Sequence, residues 1–83
     1  MPRFFIDTDD GRMAIVDEDG HELADAQAAR DLAVRALSEM SLGDASESDR
    51  YVMSARVRAE DGSTVYGASL ALTGEWSIDR PAS

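Results

Sequence analysis

Three Asp-Gly pairs constrain this chain more than any other feature, because each one marks a tight turn between short elements. They are Asp10-Gly11, Asp19-Gly20 and Asp61-Gly62. Glycine adopts positive φ without steric cost, so Asp-Gly beside alternating apolar residues is typical of a β-hairpin. Between the second and third pairs, residues 26–40 contain neither glycine nor proline. The spacing therefore predicts two strands, one helix and two further strands.

Four segments have the composition of β-strands. Residues 3–8 and 12–17 flank the first Asp-Gly pair, and residues 51–58 and 64–73 flank the third. In the later two segments apolar residues alternate with polar or small ones, and this period of two places one set on a single face. On that face we expect Tyr51, Met53, Ala55, Val57, Tyr66, Ala68, Leu70 and Leu72.

The helix is predicted over residues 26–40, where alanine, leucine and arginine dominate. Asp25 is the expected N-cap, because its carboxylate can accept a hydrogen bond from an unpaired backbone N–H of the first turn. Gly43 lies where a C-terminal stop is expected. An apolar stripe at helical spacing should face the sheet, and it comprises Ala29, Leu32, Ala33, Ala36, Leu37 and Met40.

These elements predict an α+β fold of the order β-β-α-β-β, with one helix on one face of a four-stranded antiparallel sheet. The helix returns the chain across the sheet, so the second and third strands should run parallel. A fully antiparallel sheet then needs the first strand between them, which gives the spatial order 2-1-3-4. Residues 1–78 are expected to form a single domain, followed by a frayed tail at 79–83.

The charge of the chain argues against several classes of partner. The formal net charge is −9, with a pI near 4.3. Nucleic-acid backbones and anionic membrane surfaces attract clustered positive charge, so neither partner is expected. The chain has no cysteine, which excludes disulfides and thiolate metal sites. No segment approaches the ~20 apolar residues of a membrane span, and the opening residues do not form a signal peptide. We expect a cytoplasmic protein.

The sequence resembles a family of short bacterial proteins of unknown function. The likeness rests on the opening Met-Pro-Arg-Phe-Phe, on Asp17-x-x-Gly20-x-x-Leu23-x-Asp25-x-x-x-Ala29, and on residues 57–62. It covers nearly the whole chain and implies no activity or functional residue. The β-β-α-β outline is also similar to the antitoxin half of a small bacterial toxin–antitoxin system, in architecture alone.

A calcium loop is one candidate site. Asp7, Asp9 and Glu18 match positions 1, 3 and 12 of an EF-hand frame. The frame fails at Gly11 and Arg12, because arginine stands where the glycine is needed, and the loop lies between predicted strands. An acidic hairpin turn is the preferred interpretation, and no metal or other cofactor is expected.

Catalytic candidates are weaker still. His21 is the only histidine, and no motif marks a nucleophile for it to activate. The neighbouring carboxylates of Asp17 with Glu18, and of Glu60 with Asp61, lie on turns, where they point outward rather than across a cleft. We therefore expect no enzymatic activity and no catalytic residue.

The face of the sheet opposite the helix, called here the open face, is the most plausible binding surface. Arg56 and Arg58 share it, and either a nucleic-acid site or cross-strand pairing with acids such as Asp7 explains them, the second being preferred. Contiguous apolar area tends to mark a partner site, unless residues 74–78, with Trp76 and Ile78, pack back over it. The apolar positions expected there are Phe5, Ala14, Val16, Val52 and Ala71.

The favoured hypothesis is a small non-enzymatic protein-interaction module that uses the open face or an edge strand. Its partner is a protein or a second copy of the chain. One alternative is an antitoxin-like or stress-related regulator that binds a basic protein, and another is a domain that binds a divalent metal through its acidic turns. The predicted partner-binding residues are Phe5, Val16, Val52, Arg56 and Arg58.

Overall fold

The structure is a computed structural model that describes residues 1–44 and 49–78, with side chains described up to residue 41 in the first range. The tail expected at 79–83 lies outside the described residues. The described residues form one helix and five strands. In order they are β1 (Arg3–Asp9), β2 (Ala14–Ile15), β3 (His21–Glu22), α1 (Ala26–Asp44), β4 (Arg50–Arg58) and β5 (Thr64–Thr73).

The sheet is antiparallel and follows the order β2-β1-β4-β5, with β3 paired to β1 as well. The predicted α+β class and the predicted order of four strands are confirmed. The difference is the fifth strand, β3, which places His21 opposite Phe4. The inner strand is β1, as the Phe4-Phe5-Ile6 run suggests, because β4 covers one of its edges and the two short strands share the other.

The predicted second strand at 12–17 is reduced to two paired residues, Ala14 and Ile15. The chain leaves the ladder at Val16, and the side chain of Asp17 replaces the backbone as the acceptor for β1. Gly20, with φ of 75°, then turns the chain back so that β3 can pair with the start of β1. A side chain therefore fills the gap between two short strands.

Helix α1 begins where the sequence predicts. Asp25 Oδ1 accepts a hydrogen bond from the N–H of Ala28 at 2.9 Å, which satisfies one donor of the first turn. The helix runs through Gly43 and ends at Asp44, so the expected stop at glycine is displaced by one residue. Helix ends are defined only to within one or two residues by their hydrogen bonds.

The core lies between α1 and one face of the sheet. Small residues on the helix, Ala29 and Ala33, are fully buried, which lets α1 sit close to the strands. Met53 and Val57 of β4 are the largest fully buried side chains, as their alternating pattern predicts. The remaining members of the buried cluster are Phe4, Ile6, Leu37 and Ala55.

Strands β4 and β5 form a long hairpin that ends the described part of the sheet. The turn is closed by a hydrogen bond from the N–H of Ala59 to the carbonyl of Ser63 at 2.8 Å, with Gly62 at φ of 88°. Val57 pairs with Tyr66 and Arg58 with Thr64, so Val65 is the extra residue of a β-bulge.

Residues 74–78 do not cover the sheet. Trp76 and Ile78 are exposed, so the alternative in which they pack back over the open face is wrong. Gly74 donates its N–H to the carbonyl of Asp49, which holds this segment beside the start of β4 instead. No helix of the described residues is long and apolar enough to cross a membrane.

Candidate interaction surfaces

The outer edge of β1 is closed along its length by three different devices. Residues of β3 pair with its first part, and residues of β2 pair with Thr8 and Asp9. Between them the N–H of Ile6 donates to Asp17 Oδ2 at 3.0 Å. Because each unpaired N–H or C=O on an edge can template another strand, this arrangement removes β1 as a docking edge.

Asp17 is held in place by its own hydrogen bonds. Its second oxygen, Oδ1, accepts the N–H of Gly20 at 3.0 Å, and His21 Nε2 lies 3.3 Å from Oδ2. Burial raises the pKa of Asp17, but the hydrogen bonds from Ile6 and Gly20 outweigh it and keep the pKa below its ordinary value. The carboxylate is therefore ionised at neutral pH and serves as a structural acceptor.

Asp7 is the centre of an ion network on the open face. It is only 8% exposed. Arg58 binds it with two hydrogen bonds, Nε to Oδ2 at 2.7 Å and a terminal nitrogen to Oδ1 at 3.0 Å. Arg56 donates to Oδ2 at 3.3 Å, and the N–H of Asp17 donates to Oδ1 at 3.0 Å. The hydrogen bonds from Arg58 lower the pKa of Asp7 to about 2, against the effect of burial.

Arg58 and Phe5 serve the fold at this end of the open face. The Arg58 guanidinium lies 5.0 Å from the centre of the Phe5 ring and also donates to the carbonyl of Asp17 at 3.0 Å. A Cβ on Gly20 would approach the Phe5 ring to 2.9 Å, so the loop at 16–20 packs directly on the ring. The predicted cross-strand pairing of Arg56 and Arg58 with Asp7 is confirmed. The side chains of Arg58 and Phe5 are largely engaged in contacts within the domain.

The other three predicted residues are accessible. Val16 and Val52 are exposed, and the Arg56 side chain is 57% exposed despite its contact with Asp7. A hollow of about 290 Å³ lies beside Arg56 and Val16 on this part of the sheet. Its further lining residues are Asp7, Thr8, Asp9, Ala14, Ile15 and Ser54. The role of these residues in binding a partner stays a prediction.

Two of the three carboxylates of the calcium-like frame have other hydrogen-bond partners. Asp7 is bound by arginine, and Asp9 Oδ1 accepts the N–H of Gly11 at 2.8 Å. Among the described residues, no group of three histidine or acidic side chains is placed to hold a metal ion. At the third turn, Asp61 accepts both hydrogen bonds of Ser63, and Glu60 accepts the N–H of Arg3 at 3.2 Å.

The outer edge of β5, called here the β5 edge, differs from every other part of the surface. Within residues 1–44 and 49–78, no strand pairs with it. Its ten residues, Thr64–Thr73, include no charged residue and no proline, although 30% of the whole chain is charged. None of the five partner-binding residues predicted from the sequence lies on β5. The signal that could have found it is this uncharged window.

Exposed apolar groups lie along the β5 edge and beyond its end. Val65 and Leu70 are exposed, and Trp76 is 57% exposed. At the start of β5, a groove of about 280 Å³ separates the strand from helix α1. The groove is lined by Ala26, Gln27, Arg30, Val65 and Tyr66. Arg30 lies over the Tyr66 ring at 5.9 Å from its centre, which gives the groove one cationic wall.

Comparison with known proteins adds the family and no activity. No curated protein and no solved structure matches the chain. The profile of one family, described as a domain of unknown function (DUF6894), matches residues 3–71. The match spans all five strands except the last two residues of β5, and it includes α1. The resemblance drawn from the sequence is thus confirmed, and the chain belongs to the family of domains of unknown function DUF6894.

Proposed function

We propose that this chain is a small non-enzymatic protein-interaction module, and that its β5 edge binds a partner by adding a strand to the sheet. The observation that carries the proposal is an outer strand of ten residues, uncharged and free of proline, with no strand paired along its outer edge in the described ranges. In strand addition, main-chain hydrogen bonds provide affinity and alternate side chains provide specificity.

The contrast with β1 supports this proposal. Folded proteins protect exposed edges with charge, proline, short strands or covering loops, because an open edge invites pairing. Here residues 14–22 supply two short strands and the Asp17 carboxylate to cover β1. Strand β5 has one bulge, at Val65, but it is long and has no charge or proline, and within residues 1–44 and 49–78 no strand covers its outer edge. This contrast with the closed edge on the opposite side of the sheet supports use of the β5 edge in binding.

The side chains beside the β5 edge fit a docking role. Trp76 and Leu70 are exposed, and tryptophan is among the residues that dominate binding energy at protein interfaces. The groove beside Tyr66 and Arg30 offers a cavity for an apolar or aromatic group of the partner. The edge and groove together present backbone donors, backbone acceptors and an apolar pocket at one side of the molecule.

The state of the acidic residues supports a non-enzymatic role. The carboxylate of Asp7 accepts hydrogen bonds from Arg58 and from the N–H of Asp17, and that of Asp17 accepts them from backbone N–H groups. Their pKa values are lowered, which is the opposite of what a general acid at neutral pH needs. His21 contacts Asp17, and it lies at the closure of β1 rather than in a cleft.

A comparative capture experiment tests the proposal. The immobilised wild-type chain, a Ser69→Glu variant and a Ser38→Glu variant are exposed to the same cell extract, and bound proteins are quantified by mass spectrometry. Ser69 lies in the middle of β5, whereas Ser38 is an exposed helix residue away from it. We expect specific partners to be lost with Ser69→Glu and retained with Ser38→Glu.

A Val52→Asp variant separates the edge from the open face in the same experiment. Val52 is exposed on β4, on the face opposite α1. Loss of partners with Val52→Asp alone would assign binding to the open face. Equal capture by all four proteins would contradict a binding role for either surface.

A further inference from the structure

The charge distribution limits how two copies of this chain can meet. Each copy carries a formal net charge of −9, so most contacts between copies oppose carboxylates. The ten residues of β5 carry no charge. Like charges directly opposite each other on neighbouring strands destabilise a sheet. Two copies that meet along the β5 edge avoid this, because their paired strands carry no charge.

Antiparallel pairing of β5 with its own copy is also self-complementary in side-chain size. A two-fold axis perpendicular to the sheet through Ser69 keeps both helices on the same side. Ser69 then faces Ser69 of the other copy. On the helix side, Leu70 lies opposite Ala68 and Tyr66 lies opposite Leu72. Leu70 therefore meets a small side chain, the Tyr66 ring meets the aliphatic Leu72, and no charged side chain lies on that face of β5.

The ends of the strand fit together under the same symmetry. Antiparallel pairing brings the end of one β5 beside the start of the other. The exposed Trp76 follows the end of β5, and the groove with Arg30 and Tyr66 lies at its start. The groove, of about 280 Å³, is lined by Ala26, Val65 and the Tyr66 ring together with the polar side chains of Gln27 and Arg30. An indole ring can stack on the guanidinium there, and its N–H can donate to the Gln27 amide oxygen. The two-fold axis through Ser69 thus pairs the two β5 edges. It also places Trp76 of each copy near the groove of the other.

We infer that the strand bound at the β5 edge is β5 of a second copy of this chain, in an antiparallel dimer with Trp76 of each copy seated in the groove of the other. The inference rests on the proposed function and names its partner. It extends the sheet across the dimer and leaves Val16, Val52 and Arg56 of both copies on one continuous face.

Light scattering on a sizing column is the first test, over a hundredfold concentration range of the full chain. We expect twice the mass of the 9.0 kDa chain for wild type. Ser69→Glu places two carboxylates together at the axis and should give a monomer. Ser38→Glu introduces the same charge on the exposed surface of helix α1, away from β5, and should remain a dimer. Circular dichroism confirms that both variants are folded.

Cysteine cross-linking gives a second test that does not depend on a disruptive variant. The chain has no cysteine of its own. Directly opposed residues of antiparallel strands have Cα atoms about 4.5–5.5 Å apart, within the range that a disulfide spans. Ser69→Cys should therefore form a linked dimer on mild oxidation. The two copies of Thr73→Cys are separated by eight residue positions along the strand, roughly 27 Å, and should not link.

Tryptophan fluorescence reports the docking of the ends, because Trp76 is the only tryptophan. Its emission should shift to shorter wavelength as wild-type concentration rises, and it should stay at the exposed value in Ser69→Glu. Trp76→Ala should weaken the dimer at least tenfold, since a buried tryptophan anchor at an interface typically contributes that much or more.

The outcomes separate the dimer from the proposed function. A wild-type monomer at every concentration overturns the dimer, while strand addition by another protein is then judged by the capture experiment. A dimer that survives Ser69→Glu, or that links through Thr73→Cys instead of Ser69→Cys, overturns the β5 pairing. A dimer with unchanged Trp76 emission contradicts the docking of the tryptophan.

Discussion

The two outer sides of this sheet are built in opposite ways. At β1, two short strands and the Asp17 carboxylate occupy the outer edge, and Asp7 and Arg58 form an ion pair on the open face beside it. At β5, the strand is longer, uncharged and exposed, and no described strand pairs with its outer edge. One side therefore holds the fold together, and the other offers unpaired backbone groups.

If the β5 edge binds a partner as proposed, this small domain separates stability from binding. A chain of this size buries a limited core, so it needs every closed hydrogen bond it can form. It places the buried carboxylate of Asp7 and the packing of the loop at residues 16–20 at β1, on the other side of the sheet from the β5 edge. Changes at β1 should then alter stability, and changes at β5 should alter association.

The largest expected effect is the loss of Asp7. Asp7→Ala leaves Arg58 without its carboxylate partner, and breaking such a pair costs about 3–5 kcal/mol when both groups are fully buried. Because the Arg58 side chain is 23% exposed, we expect about 3 kcal/mol, measured by chemical denaturation. Asp9→Ala, an exposed acid on the same strand, is the control and should cost about 1 kcal/mol or less. Equal costs would contradict the assigned role of Asp7.

The lowered pKa of Asp7 predicts that the unfolding free energy falls at acidic pH. The pKa of Asp7 in the folded chain, about 2, lies below its ordinary value of 3.8. The stabilisation is therefore complete above about pH 4 and is lost as the pH falls toward 2, and it amounts to about 2 kcal/mol. The difference in unfolding free energy between wild type and Asp7→Asn should shrink over this window. A difference that is independent of pH would show that the ion pair contributes nothing.

A matched pair of glycine substitutions tests the packing of the loop on β1. Both Gly20 and Gly62 have positive φ, so alanine at either position costs about 1 kcal/mol of backbone strain. At Gly20 a Cβ also approaches Arg3 and Phe5 to 2.9 Å, whereas at Gly62 no atom lies within 4 Å. We expect Gly20→Ala to cost about 1 kcal/mol more than Gly62→Ala in thermal or chemical unfolding. Equal costs would mean that the loop does not press on the Phe5 ring.

The smallest expected effect on folding is at β5. Ser69 is exposed, and substitutions at such positions usually change stability by about 0.5 kcal/mol or less. Ser69→Glu should therefore leave the unfolding free energy nearly unchanged once the protein is diluted to the monomer. If it destabilises the monomer as strongly as Asp7→Ala, the division between a stabilising side and a binding side is wrong.

The residues between Asp17 and Ala29, on which the resemblance to the family rests, have structural roles beside the closed edge of β1. The Asp17 carboxylate accepts hydrogen bonds from the backbone N–H groups of Ile6 and Gly20. Gly20 has a positive φ, and there is no room for a Cβ at its position, so glycine is required there. Leu23 packs against the core, Asp25 caps α1, and Ala29 is fully buried on the side of α1 that faces the sheet. A motif without a known activity thus encodes the closure of β1 and the start of the helix.

Local sequence determined the elements of this protein. Asp-Gly turns, the period of two in residues 51–58 and the capped alanine-rich segment predicted the helix and four of the five strands found in the described residues, because these signals act between residues close in the chain. Strand β3 was not predicted. The pairing of Arg56 and Arg58 with Asp7 also followed, since opposed charges on adjacent strands attract once the strand order is known.

Tertiary structure decided the rest. Asp17 reaches Ile6 across eleven positions, and Arg58 reaches Asp7 across fifty-one, and sequence periodicity carries no information about such distant partners. Phe5 and Arg58 were predicted as binding residues because their strand face was known, but only the folded chain shows a loop and an ion pair using them. Likewise, the sequence of β5 shows that the strand is uncharged, but only the folded structure shows that this uncharged strand lies at the edge of the sheet. Which strand lies outermost depends on the packing of all the others, and no single segment encodes it.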